Sequence, residues 1–157
     1  MSHTPAMVRC DGAGVAYSVH RYRHNPSASS YGLEAAEQLG LDPAAVFKTL
    51  IVALDITLGV AVVPVSGLLD LKACAAAFGS KKAELADPAI ARRKTGYVIG
   101  GISPIGQKTS LPTVIDESAL ALETIYVSAG VRGADIGLSP LDLAELTGAD
   151  FARIARA

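Results

Sequence analysis

Residues 96–108 read Gly-Tyr-Val-Ile-Gly-Gly-Ile-Ser-Pro-Ile-Gly-Gln-Lys, four glycines in one short run between apolar segments. Glycine weakens helices and strands and costs chain entropy when it is ordered. A cluster this dense therefore marks sharp turns, a close approach of backbone to a ligand, or both. Whatever fold the chain adopts must turn here, and the flanking elements are arranged around the turn.

Those elements alternate between strand-like and helix-like stretches. Residues 14–22 place Val15, Tyr17 and Val19 on one face and His20 and Tyr22 on the other, the period of a strand. Residues 29–40 read as a helix that opens on serine and ends at Gly40. Asp42-Pro43, Asp87-Pro88 and Ser139-Pro140 each put a capping side chain before a proline, whose missing N–H costs nothing at the first helical position. The first is expected to open only a turn, the other two full helices over 87–96 and 139–148. Residues 46–54 and 58–65 are apolar and rich in β-branched side chains, close enough to pair as a hairpin. A helix capped by Asp70 and stopped by Gly79 follows, and strands are expected at 97–101 and 124–130. The strands do not alternate regularly with long helices, so the pattern predicts a mixed, barrel-like sheet flanked by short helices, α+β in class, rather than a doubly wound parallel sheet.

At 157 residues, half of them apolar and 18% charged, the chain is expected to form one domain over 1–157 with a real core and no long disordered tail. The first residues lack a basic stretch followed by an apolar one, and every later apolar run is broken before about 18 residues, so a soluble, cytoplasmic protein without a membrane span is expected. Cys10 and Cys74 form no paired motif and read as free thiols, Cys74 within a helix core. The net charge of −1 argues against wrapping nucleic acid by bulk electrostatics. Lys81-Lys82 and Arg92-Arg93-Lys94 are the basic clusters, read first as solvated faces, with Lys108 and Arg132 single charges among glycines.

Conventional catalytic signatures fail. Gly101-x4-Gly106-Gln-Lys108 places its lysine one residue too late for a phosphate-binding P-loop, Pro104 removes a donor from the cradle, and Leu111-Pro112 discourages the helix that should follow. The surroundings of Ser103 lack the second glycine of a nucleophile elbow. His20 and His24 have no third metal ligand, and His3 sits in a terminus expected to be loose. Lys48, in Val-Phe-Lys-Thr-Leu-Ile-Val, is the odd residue: an ammonium there must snorkel, pair, or face a polar pocket.

"HRYRH", "GLEAAEQLGLDPAAVFKTLIV", "LDLKACAAAFGSKKAELAD", "KTGYVIGGISPIGQK", "ETIYVSAGVRG" and "SPLDLAELTGADFARI", in that order over nearly the whole chain, resemble the YbaK/EbsC family of trans-editing aminoacyl-tRNA deacylases. "FKTL", "GGISPIGQK" and "YVSAGVRG" are the specific parts, and "GGISPIGQK" is most similar to the branch that clears cysteinyl-tRNA(Pro) or cysteinyl-tRNA(Cys) rather than alanyl-tRNA(Pro). The resemblance implies a carboxylic ester hydrolase without cofactor or metal, in which the cysteinyl thiol attacks its own carbonyl. Its implied partners are the acceptor end of proline tRNA and, weakly, prolyl-tRNA synthetase, and the near-neutral charge fits low affinity for free tRNA. It implies that Lys48 contacts the terminal phosphate or ribose, that Gly100 and Gly101 bring backbone to the ester carbonyl, that Tyr22 lines the pocket, and that Ser128 and Asp135 orient the aminoacyl group. Thr49 and Ser103 are its remaining substrate-binding candidates. Read without it, Tyr22 is strand packing, Ser128 a strand-end hydroxyl and Asp135 a turn residue. Ala129 and Val131 stand where the family often has glycine and lysine, which removes part of the expected tRNA-binding charge. An alanyl-tRNA(Pro) deacylase of the same fold and a non-catalytic adaptor remain alternatives.

Overall fold

The computed structural model describes residues 3–28 and 30–157. The first element is α1 (Pro5–Ala13), at the terminus expected to be loose. Thr4 caps it by accepting from the Met7 N–H at 3.2 Å, Pro5 sits at the first position, and Gly14 closes it in the left-handed region. This is the same device read at the other three sites, with threonine in place of aspartate or serine. Ala6, Met7 and Cys10 turn into the core, and the Thr4 hydroxyl also donates to the Ala129 carbonyl, which ties the helix to the sheet behind it.

The chain continues through β1 (Tyr17–Arg21), α2 (Tyr31–Leu39), β2 (Phe47–Ala53), β3 (Leu58–Pro64), β4 (Leu68–Leu69), α3 (Leu71–Ala77), β5 (Glu84–Leu85), α4 (Pro88–Thr95) and β6 (Thr113–Asp116). A 3₁₀ turn at Glu117–Ala121 leads to β7 (Ile125–Val131), β8 (Ala134–Leu138), α5 (Pro140–Thr147), β9 (Asp150–Ala152) and β10 (Ala155–Arg156). Ser30 caps α2 through the Leu33 N–H at 3.3 Å, and Asp70, Asp87 and Ser139 cap α3, α4 and α5. Asp42-Pro43 opens a single turn, its carboxylate accepting from the Ala44 N–H at 2.9 Å.

Among the described residues three sheets form, none closed on itself: β1-β8-β7, β10-β4 and β5-β2-β3-β6-β9. β2 and β3 pair antiparallel from Phe47↔Pro64 to Ala53↔Leu58, the expected hairpin, while β3-β6 and β6-β9 are parallel. The two larger sheets face each other across one apolar core that takes Phe47, Ile51, Val60 and Val62 from one side and Ile125, Val127, Ile136 and Leu138 from the other. Cys10 and Cys74 are both buried free thiols.

Residues 97–101 do not form the expected strand. Gly96 and Gly100 both take positive φ, the Gly101 N–H donates to the Val98 carbonyl at 2.9 Å, and the chain turns instead of extending. The Tyr97 hydroxyl, buried, donates to the Ile105 carbonyl at 2.7 Å and pins the loop to the core from within. Asp135 is not in a turn either. It lies in β8, whose five residues are all buried, and the turn falls at Arg132-Gly133, where Gly133 has φ 90°. Among the described residues no helix is long and apolar enough to cross a membrane.

Candidate active site

The glycine loop, the first turn of α2, β2 and the β7-β8 hairpin enclose a cavity of about 360 Å³. Tyr22, Lys48, Thr49, Gly100, Ser128 and Asp135 line it, gathered from five segments of the chain. The rest of the wall is mainly apolar, including Val46, Phe47, Ile51, Leu85, Ile99 and Ile102. An apolar chamber with a few convergent polar groups is the usual form of a small-ligand site. Gly101 and Ser103 lie outside the wall. A Cβ on Gly101 would stand 3.0 Å from the Arg132 nitrogen and from the Val131 carbonyl carbon, so this glycine lets the loop lie flat on the β7-β8 turn. Ser103 is fully buried; its hydroxyl accepts from the Ile105 N–H at 3.2 Å, and its carbonyl accepts from the Gln107 side chain at 3.0 Å.

Asp135 occupies the middle strand of its sheet, opposite His20 on β1 and Ser128 on β7. Directly opposed residues project to the same face, so these three form a polar row. Asp135 is 5% exposed, at the cavity wall, and burial pushes its carboxyl pKa up to about 6. The half-buried Tyr22 phenol is pushed up to about 12, first by burial and then by the charge of Asp135. Ser128 accepts from the Gly130 N–H at 3.1 Å, so the strand-end reading of this hydroxyl also holds, alongside its place on the wall.

Lys48 donates to the Gly67 carbonyl at 3.3 Å and has no carboxylate within ion-pair distance among the described residues. Burial pushes its ammonium below the ordinary lysine range. Such a half-desolvated, unpaired cation has electrostatic free energy to gain from an anion. Its neighbour Thr49 carries the one buried side-chain polar atom without a partner among the described residues.

Tyr31, the first residue of α2, is a wall residue that the sequence did not single out. Its ring lies under the Arg132 guanidinium, 5.1 Å from carbon to centroid, and 5.6 Å from the His24 ring at a tilt of 35°. Gly100, with φ 84°, passes so close that a Cβ there would stand 2.8 Å from the ring. His24 is held in turn by Glu34, Nδ1 to carboxylate 2.7 Å, and the same carboxylate accepts from the Asn25 N–H at 2.7 Å. Burial pushes Glu34 up, but these hydrogen bonds outweigh it and keep the carboxyl below its ordinary range. In the sequence Tyr31 looks like any residue of a helical turn; only the fold brings it to Gly100 and Arg132.

Residues 25–146 match the model of the aminoacyl-tRNA editing domain, which spans every wall residue except Tyr22. The chain belongs to the aminoacyl-tRNA editing domain family. A curated relative in Enterococcus faecalis, EbsC, named as a candidate Cys-tRNA(Pro)/Cys-tRNA(Cys) deacylase, is 43% identical over 120 residues, covering 76% of this chain and 73% of that protein. A crystal structure described as that of a candidate trans-editing enzyme for prolyl-tRNA synthetase is 26% identical, with TM-score 0.80 over 99% of this chain and 100% of the other. The crystal structure of hypothetical protein APE2540 shares the fold, with TM-score 0.85 at 24% identity over 98% of this chain and all of that one. The YbaK/EbsC resemblance read from the motifs and the mixed α+β architecture are thereby borne out.

Proposed function

We propose that this editing domain is a trans-acting deacylase that clears the cysteinyl ester from tRNA(Pro), and from tRNA(Cys) if presented. The observation that carries the reading is the convergence of Lys48, Ser128, Asp135 and Gly100 on one cavity of about 360 Å³, roomy enough for an aminoacyl group and part of its ribose. The naming of EbsC for this substrate pair supports the choice of ester.

Lys48, unpaired and half-buried, takes the terminal phosphate or ribose of the acceptor end. Asp135, ionised above a pH of about 6, faces the substrate's α-ammonium, with Ser128 beside it. Gly100 lets the loop backbone approach the ester carbonyl, where an amide stabilises developing negative charge. The cysteinyl sulfur forms a bond to its own carbonyl carbon and the ester C–O bond breaks. The thiol proton passes to the leaving 3′ oxygen, and the products are a four-membered thiolactone and free tRNA. Chemistry of this kind draws on positioning and oxyanion stabilisation rather than on a protein nucleophile. Gly101 and Ser103 act through the loop they shape. With a net charge of −1, the protein binds free tRNA weakly and with little sequence preference, and prolyl-tRNA synthetase presents the substrate.

The test is ester loss from Cys-tRNA(Pro) and Ala-tRNA(Pro), measured with the purified protein and with Lys48→Ala. Rapid loss of the cysteinyl ester alone, abolished in the variant, is expected. Cleavage of the alanyl ester at a similar rate overturns the thiol-assisted step and favours a water-dependent deacylase. No acceleration of either ester leaves a tRNA-binding adaptor.

A further inference from the structure

The outer edge of β2 carries a break in its pairing. On the side away from β3, Val46 forms an isolated parallel bridge to Tyr126 of β7, and pairing resumes only at Val52↔Leu85 with β5. Between these points no strand pairs with β2 on this side among the described residues, and the cavity opens there, with Phe47, Thr49 and Ile51 on its wall.

Strand alternation tells which main-chain groups face the gap. The Ala45 carbonyl accepts from the Tyr126 N–H at 2.9 Å, and the Ile51 carbonyl accepts from the Ala86 N–H at 2.9 Å, both on this outer edge. Residues two apart in a strand direct their N–H and C=O groups to the same side, so Thr49, midway between, directs both of its groups into the gap. A continuing parallel ladder would have set the Ser128 carbonyl against the Thr49 N–H; β7 diverges after its single bridge, and Ser128 and Thr49 are both left on the cavity wall. The Thr49 hydroxyl, buried and without a partner, is a second, independent mark of an unfilled polar position on the same residue.

Resting on the deacylase reading, we infer that the main chain of Thr49 binds the aminoacyl group as a one-residue strand addition. An α-amino ester carries one N–H donor group and one carbonyl acceptor in the spacing of a peptide residue, which is what an open β-edge pairs with. The Thr49 N–H holds the ester carbonyl oxygen, and the Thr49 carbonyl accepts from the α-ammonium. The N–H thus acts as an oxyanion donor alongside the glycine loop, and the pair recognises any L-aminoacyl ester without reference to its side chain. Selection among amino acids then falls to the rest of the chamber, where the Thr49 hydroxyl, without a protein partner among the described residues, is a polar group open to a thiol.

The test uses the full chain, ¹⁵N-labelled, titrated with a non-hydrolysable amide-linked cysteinyl adenosine. On saturation the Thr49 amide proton is expected to shift downfield and its exchange to slow by about tenfold or more. The analogue lacking the α-amino group is expected to bind about tenfold more weakly while still shifting that amide. Thr49→Pro removes an N–H that no strand uses and is expected to fold yet lose cysteinyl deacylation, whereas Thr49→Ala keeps the amide shift. Shifts at Gly100 and Ser128 with none at Thr49 overturn the strand-addition mode and leave the deacylase reading standing. Failure of the analogue to perturb any cavity amide overturns the mode too, and the ester assay with intact tRNA then decides the deacylase reading separately.

Discussion

The Arg132 guanidinium lies 5.1 Å above the Tyr31 ring while its Nε donates to the Ile99 carbonyl at 2.8 Å, so one side chain joins the β7-β8 turn, the first residue of α2 and the glycine loop. Tyr31 and the glycine loop line the cavity, Arg132 braces both from outside its wall, and no carboxylate pairs with Arg132 among the described residues. A cation over an exposed ring contributes about 0.5–1 kcal/mol. Its consequence lies in how it sets the mouth of the chamber rather than in global stability. Arg132→Ala is expected to lower unfolding free energy by no more than about 1 kcal/mol and kcat/KM by about tenfold. Arg132→Lys should recover little, because an ammonium neither stacks flat nor holds the fork geometry. Denaturant unfolding and deacylation kinetics on the same preparations check both halves; equal losses in stability and activity would count against the positioning role.

Gly100 is fixed by two constraints at once, a φ of 84° and a Cβ position 2.8 Å from the Tyr31 ring. Gly100→Ala is expected to cost about 1–3 kcal/mol and to suppress deacylation strongly. Adding Tyr31→Ala removes the clash but not the left-handed strain, so the double variant should recover part of the stability and the two losses should not add. Thermal unfolding of the four proteins measures the coupling, and strict additivity would show that the ring and the glycine do not touch in solution.

Asp135 gives the site a pH dependence whose sign can be worked out. Its folded pKa of about 6 lies above the ordinary 3.8, so the folded state binds its proton more tightly than the unfolded chain does. The favourable contribution is fully present below about pH 4, is lost as pH rises through about 6, and leaves the ionised form about 3 kcal/mol less stable at neutral pH. Asp116 and Glu34, held below their ordinary range, act in the opposite sense, so the prediction concerns the difference between wild type and Asp135→Asn. The variant is expected to be more stable at pH 7, and the difference is expected to shrink between pH 6 and 4. Wild-type kcat/KM should rise with pH through an apparent pKa near 6, and the variant should be inactive without that inflection. A wild-type profile flat from pH 5 to 7.5 would remove Asp135 from contact with the ammonium.

Much of this arrangement was legible in the residues, for reasons that differ from part to part. The β2-β3 hairpin and the proline-led helices are written in local patterns, and local patterns survive folding. Thr4-Pro5 carried the same helix-start signal, but Gly12 and Gly14 and the short apolar face of residues 5–13 obscured it. β8 escaped because Gly133-Ala-Asp-Ile-Gly137 has the composition of a turn, and only pairing with strands on both sides makes Ala134–Leu138 a buried strand. The wall residues named by motif arrived at the cavity together. Gly101 and Ser103, equally prominent in the sequence, instead support the loop from behind. The meeting of Tyr31 with Arg132 depends on how the fold brings α2 to the β7-β8 turn, and the open edge at Thr49 on how far β7 diverges from β2, neither of which a local pattern encodes.

That divergence leads to the last expectation. The Thr49 hydroxyl is buried without a partner among the described residues, and an unmet buried donor costs about 1–3 kcal/mol. Valine has nearly the same shape, suits a strand at least as well, and has no hydrogen bond to lose. Thr49→Val is therefore expected to raise the unfolding free energy by up to about 1 kcal/mol while lowering kcat/KM for the cysteinyl ester, the exchange of activity for stability typical of a site that keeps polar groups unfilled for its ligand. Because the main-chain groups of Thr49 survive the substitution, KM for the ester should change less than kcat. Paired denaturation and single-turnover measurements read both quantities. A variant that is less stable than wild type would mean the hydroxyl already has a partner in solution, such as a bound water, and one with undiminished activity would mean the aminoacyl group never reaches it.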